Sequence, residues 1–186
     1  TVMISEGIDP VFVFDGRPHD LKRETLDGRK ERKLNAIARW EAAMDAGDLP
    51  AAKKLGPQTA EYTREMVGET KRLFEHMGVV WLEAPMEAEG AAAVRCARGE
   101  VGAVASQDWD TLLYGAPVMV RNLTSHGTRR FGRVLHAERI VLSDMLEAHG
   151  ISREQLVDMG IMIGTDFHPG IKGIGPKTGL KLIQKH

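Results

Sequence analysis

The chain has 186 residues, 42 % hydrophobic and 27 % charged, a balance that fits a globular domain with a substantial core. Twenty-five Lys and Arg against 26 Asp and Glu leave a formal net charge of −1, which excludes a uniformly basic nucleic-acid coat and confines any nucleic-acid site to a local patch. The lone Cys96 excludes a disulfide framework and a cysteine-based zinc site, and every apolar run falls short of a transmembrane helix, so the composition predicts a soluble intracellular protein with no membrane partner.

Thr1 to Gly7 reads as the tail of a helix closed by glycine, which predicts that the chain is a piece of a longer one. Val11-Phe12-Val13-Phe14 is an apolar, aromatic and β-branched run ending at Asp15-Gly16, the pattern of a buried parallel strand with a carboxylate at its end. From Leu21 to Ala46 the composition predicts an exposed helix, flexible or kinked at Gly28. Gly47-Asp48-Leu49-Pro50 and Gly56-Pro57 predict a connector, followed by a helix from Thr59 to Met77 closed by Gly78.

Val79 to Leu82 predicts a second strand, Met86 to Arg98 a helix, and Ala103 to Ala105 a third strand that leads into Ser106-Gln107-Asp108. Val118 to Val120 and a hairpin arm at Phe131 to Leu135 follow, then helices at Ser143 to His149 and Ser152 to Ile163, each with serine as the expected cap. Residues 164–186 form a lysine- and glycine-rich helical appendage. The alternation predicts an α/β fold with a mainly parallel central sheet flanked by helices.

Asp15, Glu87, Glu89, Asp108 and Asp110 each lie just beyond a strand or at the start of the next helix, where the carboxyl ends of parallel strands converge on one crevice. Asp166, after a helix, is placed to join them. Clustered carboxylates with no His or Cys call for a hard divalent cation, magnesium or manganese, and suit two-metal phosphodiester hydrolysis. Each acid alone is equally an ordinary cap or turn residue. Glu87 and Glu89 stand two apart, so on a regular helix they diverge; one site can use both only near the first turn or if they bind different ions.

Lys22 and Arg29 are seven apart, two helical turns, and share a face suited to gripping a phosphate; a solvated helix laced with ion pairs has the same composition. Gly170-Ile171-Lys172-Gly173-Ile174-Gly175-Pro176-Lys177 can present backbone N–H groups and a helix N-terminus to a phosphate, or form a plain helix–turn–helix corner.

Five motifs together resemble the flap endonucleases of the structure-specific 5′ nuclease family, archaeal members more than eukaryotic ones: Val13-Phe14-Asp15-Gly16-Arg17-Pro18 with Leu21-Lys22, Ala84-Pro85-Met86-Glu87-Ala88-Glu89, Ala105-Ser106-Gln107-Asp108-Trp109-Asp110-Thr111-Leu112-Leu113, Arg121-Asn122-Leu123-Thr124, and Gly164-Thr165-Asp166 leading into Gly173-Ile174-Gly175-Pro176-Lys177. The resemblance spans nearly the whole chain. It implies a PIN-like nuclease core over residues 1–142 with a helical arch at about 18–55, and a helical region over 143–186 carrying a helix–two-turn–helix element. It implies that Asp15, Glu87 and Glu89 serve one Mg2+ (or Mn2+) and Asp108, Asp110 and Asp166 a second, while Lys22 and Arg29 act on the scissile phosphate. Arg32, Lys33, Gly164, Lys172, Gly173, Gly175, Lys177 and Thr178 would contact DNA, and the backbone of Gly170, Ile171 and Ile174 would hold K+.

The implied substrate is DNA with a 5′ flap or junction, cut by a cytoplasmic monomer, nucleoid-associated during replication and repair, that meets a sliding clamp through a C-terminal tail. The family's first metal-binding Asp, its N-terminal strand and that tail are not found in this sequence. Gly90 stands where Ala is usual, Val80 for Pro, Trp109 for Tyr or Met, and His168 for Asn or Cys. A non-catalytic junction-binding module and a 5′ exonuclease preferring gaps or bubbles are the alternatives.

Overall fold

The computed structural model describes residues 2–130 and 132–185. The chain divides into two compact units, residues 1–12 with 19–81 and residues 13–18 with 82–186.

In the first unit, α1 (Val2–Ser5) closes at Gly7 with φ +79°, as its sequence predicts. A 3-10 turn over Asp20–Lys22, capped by the His19 ring accepting from the Leu21 N–H, leads into α2 (Arg23–Asp45). That helix runs unbroken through Gly28, correcting the expected kink: with helix formers on both sides, the glycine costs propensity without breaking the ladder. The expected connector is a helix, α3 (Leu49–Thr59). Asp48 caps it by accepting from the Ala51 N–H at 3.0 Å. Pro50 occupies the first turn, where no N–H is needed, and Pro57 falls near the other end. The two helices pack together, burying Ala36 on α2 and Ala52 and Leu55 on α3. The next helix, α4 (Arg64–Met77), starts later than expected because Thr63 accepts from the Met66 N–H. It ends at Gly78, which takes the left-handed conformation at φ +67°. Phe74 on α4 stacks on Phe12 at a centroid distance of 4.3 Å.

Strands β1 (Val11–Phe14) and β2 (Val80–Glu83) form a two-stranded sheet, and the boundary between units falls within both. The Ala84 N–H donates to the Phe14 carbonyl and the Gly16 N–H to that of Met86, so both chains advance together, as in a parallel pairing.

The second unit continues with α5 (Ala88–Ala97), β3 (Val104–Ala105), the single turn α6 (Asp110–Leu113) and β4 (Val118–Arg121). A small hairpin follows, β5 (Arg129–Arg130) against β6 (Arg133–Val134); the expected arm over 131–135 is met in part, Phe131 lying outside the described residues. Then come β7 (Glu138–Val141), α7 (Leu142–His149), α8 (Arg153–Ile163) and α9 (Pro176–Lys185). Strand β4 pairs in parallel with β3 and antiparallel with β7, which was not expected; Glu138 and Arg139 hide its strand pattern. Ser152 caps α8 in a capping box with Gln155. Ser143 does not cap α7: Val141 stands at the N-cap position with no side-chain cap bond, and the Ser143 hydroxyl donates to Asp144.

The α/β class is the observed one, with its strands divided among a β1–β2 pair, a β3–β4–β7 sheet and the hairpin. One core gathers Leu112, Met119, Leu142, Ile151 and Leu156, against which Met159, Leu180 and Ile183 pack; a second gathers Ala93, Cys96, Val104 and Ala116. These two clusters fix α5, α6 and α8, the elements that carry or flank the acidic residues.

Candidate metal centre and nucleic-acid interface

Gly16 follows Asp15 where two backbones meet. A Cβ there would stand 2.0 Å from the Ala84 carbonyl oxygen and 2.7 Å from that of Pro85, so only glycine fits. This approach draws the end of β1 onto the turn before α5. The Asp15 carboxylate accepts from the Ala88 N–H at 2.8 Å, capping the helix at its positive end. Glu87 precedes the helix at φ −80°, ψ 130°, and Glu89 lies in its first turn. Because Glu87 is extended rather than helical, the divergence of an i, i+2 pair does not apply: ligand atoms of Asp15, Glu87 and Glu89 all fall within 4.8 Å of one another.

Glu89 is half-buried, and that burial pushes its carboxyl above the usual glutamate range; the charges of Asp15, Asp108 and Glu87 push the same way. Three acids facing one another, Glu89 among them partly desolvated and Asp108 nearby adding its charge, make a site that gains from a bound cation.

Asp108 and Asp110 occupy a turn stitched to its own backbone. The Ser106 hydroxyl accepts from the Asp108 N–H at 3.0 Å, and the Asp108 carboxylate accepts from the Asp110 N–H at 3.0 Å. The same hydroxyl is 3.5 Å from Glu89 Oε1 and links this turn to the three-acid group. Ser106 was not singled out from the sequence, although a hydroxyl two residues before an Asp, just after a strand, is the pattern of such a turn. Asp110 opens α6, and Asp166 sits after α8 in the turn closed by Thr165 and His168. Among the described residues the group within 4.8 Å contains Asp15, Glu87 and Glu89; Asp108 acts on it through its charge, and Asp110 and Asp166 are not part of it.

In the first unit, Lys22 ends the 3-10 turn and Arg29 is exposed on α2. Arg29, Arg32, Lys33, Ala36 and Gln58 line a groove of about 280 Å³ along the α2–α3 pair. Lys33 reaches Glu61 at 3.3 Å, and the Arg32 guanidinium donates to the Gly28 carbonyl. Gln58 is the member that the sequence did not flag, because it lies in the stretch expected to be a connector.

The glycine-rich stretch is a tight loop feeding α9. The His168 ring accepts from the Gly170 N–H at 3.0 Å, and the Ile171 N–H donates to the Met162 carbonyl at 2.8 Å. Gly170 takes φ +76°, and a Cβ there would stand 2.4 Å from the Ile163 carbonyl oxygen. Lys172, Gly173, Lys177 and Thr178 are exposed, Gly164, Ile174 and Gly175 half-buried.

The chain matches the XPG I-region over residues 78–166 and the XPG N-terminal domain over residues 1–36. It is 44 % identical over 184 residues to flap endonuclease 1 of Methanoculleus marisnigri, covering 97 % of this chain and 55 % of that protein. To flap endonuclease 1 of Hyperthermus butylicus it is 45 % identical over 190 residues, covering 99 % and 54 %. The chain thus spans about half the length of the curated relatives it matches. Among solved structures it is similar to flap endonuclease-1 from Methanococcus jannaschii, with a TM-score of 0.71 and 38 % identity over 99 % of this chain and 56 % of that one. It is also similar to the catalytic core of Rad2 in complex with DNA substrate, with a TM-score of 0.73 and 27 % identity over 98 % and 48 %.

Proposed function

The chain belongs to the flap endonuclease family, and on that footing we propose that it acts as a structure-specific 5′ flap endonuclease and 5′–3′ exonuclease, hydrolysing DNA near junctions of single and double strand during replication and repair. The observation that carries the reading is the convergence of Asp15, Glu87 and Glu89 on one point, with Glu89 resisting ionisation. Oxygen donors alone suit Mg2+, with Mn2+ as the alternative. Asp15, Glu87 and Glu89 would hold one ion, and Asp108, Asp110 and Asp166 would serve the second. Divalent cations bound there supply an activated water and stabilisation of the leaving oxygen.

The chain's own residues bind and orient the substrate. Lys22 and Arg29 donate to the scissile phosphate and offset charge that develops on its oxygens; Arg32 and Lys33 extend that grip within an arch at 18–55. Gly164, Lys172, Gly173, Gly175, Lys177 and Thr178 meet phosphates of the duplex, with backbone N–H groups and the α9 N-terminus directed at them. Carbonyls of Gly170, Ile171 and Ile174 hold K+. On this reading the protein is a cytoplasmic monomer that engages a sliding clamp through a C-terminal tail.

Cleavage of an end-labelled 5′-flap DNA in Mg2+ tests the reading. Incision at the junction that disappears with a chelator, and falls at least about a hundredfold in Asp15→Asn, is the expected result. Full activity in Asp110→Ala removes the second-ion assignment. Tight junction binding without incision under any divalent metal leaves a non-catalytic junction-binding module. Neither binding nor incision overturns both.

A further inference from the structure

Trp109 stands between Asp108 and Asp110 and is 50 % exposed, a large aromatic surface left in water beside the acidic turn. Burial of its ring elsewhere would be worth a few kcal/mol, so its exposure is a standing cost. Its orientation is determined by a neighbour: the Arg121 guanidinium lies over the indole at 4.4 Å from the ring centroid. Arg121 is itself fixed, with one terminal nitrogen 3.7 Å from the Glu138 carboxylate across the β4–β7 ladder. Its Nε is buried and has no hydrogen-bond partner, so the stack on the indole rather than a full set of hydrogen bonds keeps the side chain in place. The arrangement is a flat ring backed on one face by a cation, held on sheet β3–β4–β7, with half its surface open.

We propose that Trp109 is a stacking platform for an unpaired nucleobase at the strand junction of the DNA substrate, a positioning and specificity residue beside the metal centre. This inference rests on the nuclease reading above. A base offers a π-face whatever its identity, so the contact is sequence-tolerant, and the guanidinium behind the ring adds a cation–π contribution to a base–indole–guanidinium sandwich. Attachment to the same turn as Asp108 and Asp110 means that seating the base aligns the adjoining phosphate with those carboxylates.

Binding of a labelled 5′-flap DNA in Ca2+, which separates binding from hydrolysis, tests it, with abasic residues placed singly at each nucleotide around the junction. Trp109→Leu is expected to weaken binding about tenfold, and Trp109→Tyr to restore most of the loss. One abasic position should cost the native protein the same factor and cost Trp109→Leu nothing further. A 2-aminopurine at that nucleotide should lose fluorescence on binding the native protein and keep it on binding Trp109→Leu. Binding by Trp109→Leu within twofold of native, or a loss that adds to every abasic substitution, overturns the proposal. Should Trp109→Leu not fold, indifference of the native protein to every abasic position overturns it as well. A native protein that binds no junction DNA overturns the nuclease reading itself, and this inference with it.

Discussion

At the level of single residues, Glu89 links stability to function. Burial, then the charges of Asp15, Asp108 and Glu87, hold its carboxyl above the ordinary range, so its ionised form costs the folded state. Below the ordinary glutamate range the side chain is protonated in both folded and unfolded chains and the cost is absent; it builds as pH rises above that range and is complete once pH has passed the raised folded value. Glu89→Gln keeps an oxygen for the Ser106 hydroxyl and removes the charge. Without divalent metal its thermal midpoint should exceed that of the native protein at pH 7 and match it near pH 3.5. Divalent metal at a hundredfold excess over Kd should raise the native midpoint by an amount worth about 2.7 kcal/mol, roughly 5–10 °C in a chain of this size, and raise that of Glu89→Gln far less. A lower midpoint for the metal-free variant at pH 7 would show that the carboxylate stabilises the fold, contrary to its surroundings. Asp15 resolves the ambiguity between cap and ligand differently. One of its oxygens caps α5, and a carboxylate has a second to offer a cation, so capping does not exclude the ligand role proposed for it.

At the level of elements, the sequence was most legible where capping is local. Gly78 and Ser152 bound their helices where expected, through bonds to the next or previous turn, and Val11 to Phe14 form the expected strand, although exposed or half-buried rather than buried. It was least legible where glycine and proline suggested a break. In α3 the Asp48 cap and the proline-tolerant first turn outweigh the breakers, and packing of Ala52 and Leu55 against α2 completes the helix, a tertiary contribution that no local pattern reveals. The convergence of the acids was readable from their place after strands. That Asp110 and Asp166 stand outside the three-acid group does not follow from spacing, because it depends on how the α6 turn and the loop after α8 are tied down; only the resemblance, which assigns them to a second ion, implied it. Gly28 offers a direct check. A Cβ there meets nothing within 4 Å, so Gly28→Ala should stabilise α2 by about 0.5–1 kcal/mol, read as a higher urea midpoint with unchanged slope. A lower midpoint would mean that the helix needs the freedom its sequence suggested.

At the level of the whole molecule, the charge of −1 is an uneven sum. Residues 17–33 hold seven Lys and Arg against four Asp and Glu, and residues 170–186 hold four lysines and no acid, so the remainder of the chain is acidic. Two basic segments on a chain that is otherwise acidic should bind DNA by counted phosphate contacts rather than by bulk attraction, and each contact releases counterions. Affinity for junction DNA measured against NaCl at fixed Ca2+ counts them without reference to geometry. Replacing Arg29, Arg32 and Lys33 together by alanine should flatten the slope of log K against log salt by about 3, and Lys177→Ala by about 1, each phosphate contact contributing about 0.9. An unchanged slope in the triple variant would mean that the α2–α3 groove is spent on internal pairs such as Lys33 with Glu61. A slope that falls while incision at saturating DNA persists would make the groove a binding element only. A fall in both, reproduced by Arg29→Ala alone, places Arg29 in the chemistry as well, because uniform binding lost from a phosphate grip raises KM, whereas charge stabilisation lost from the transition state lowers kcat.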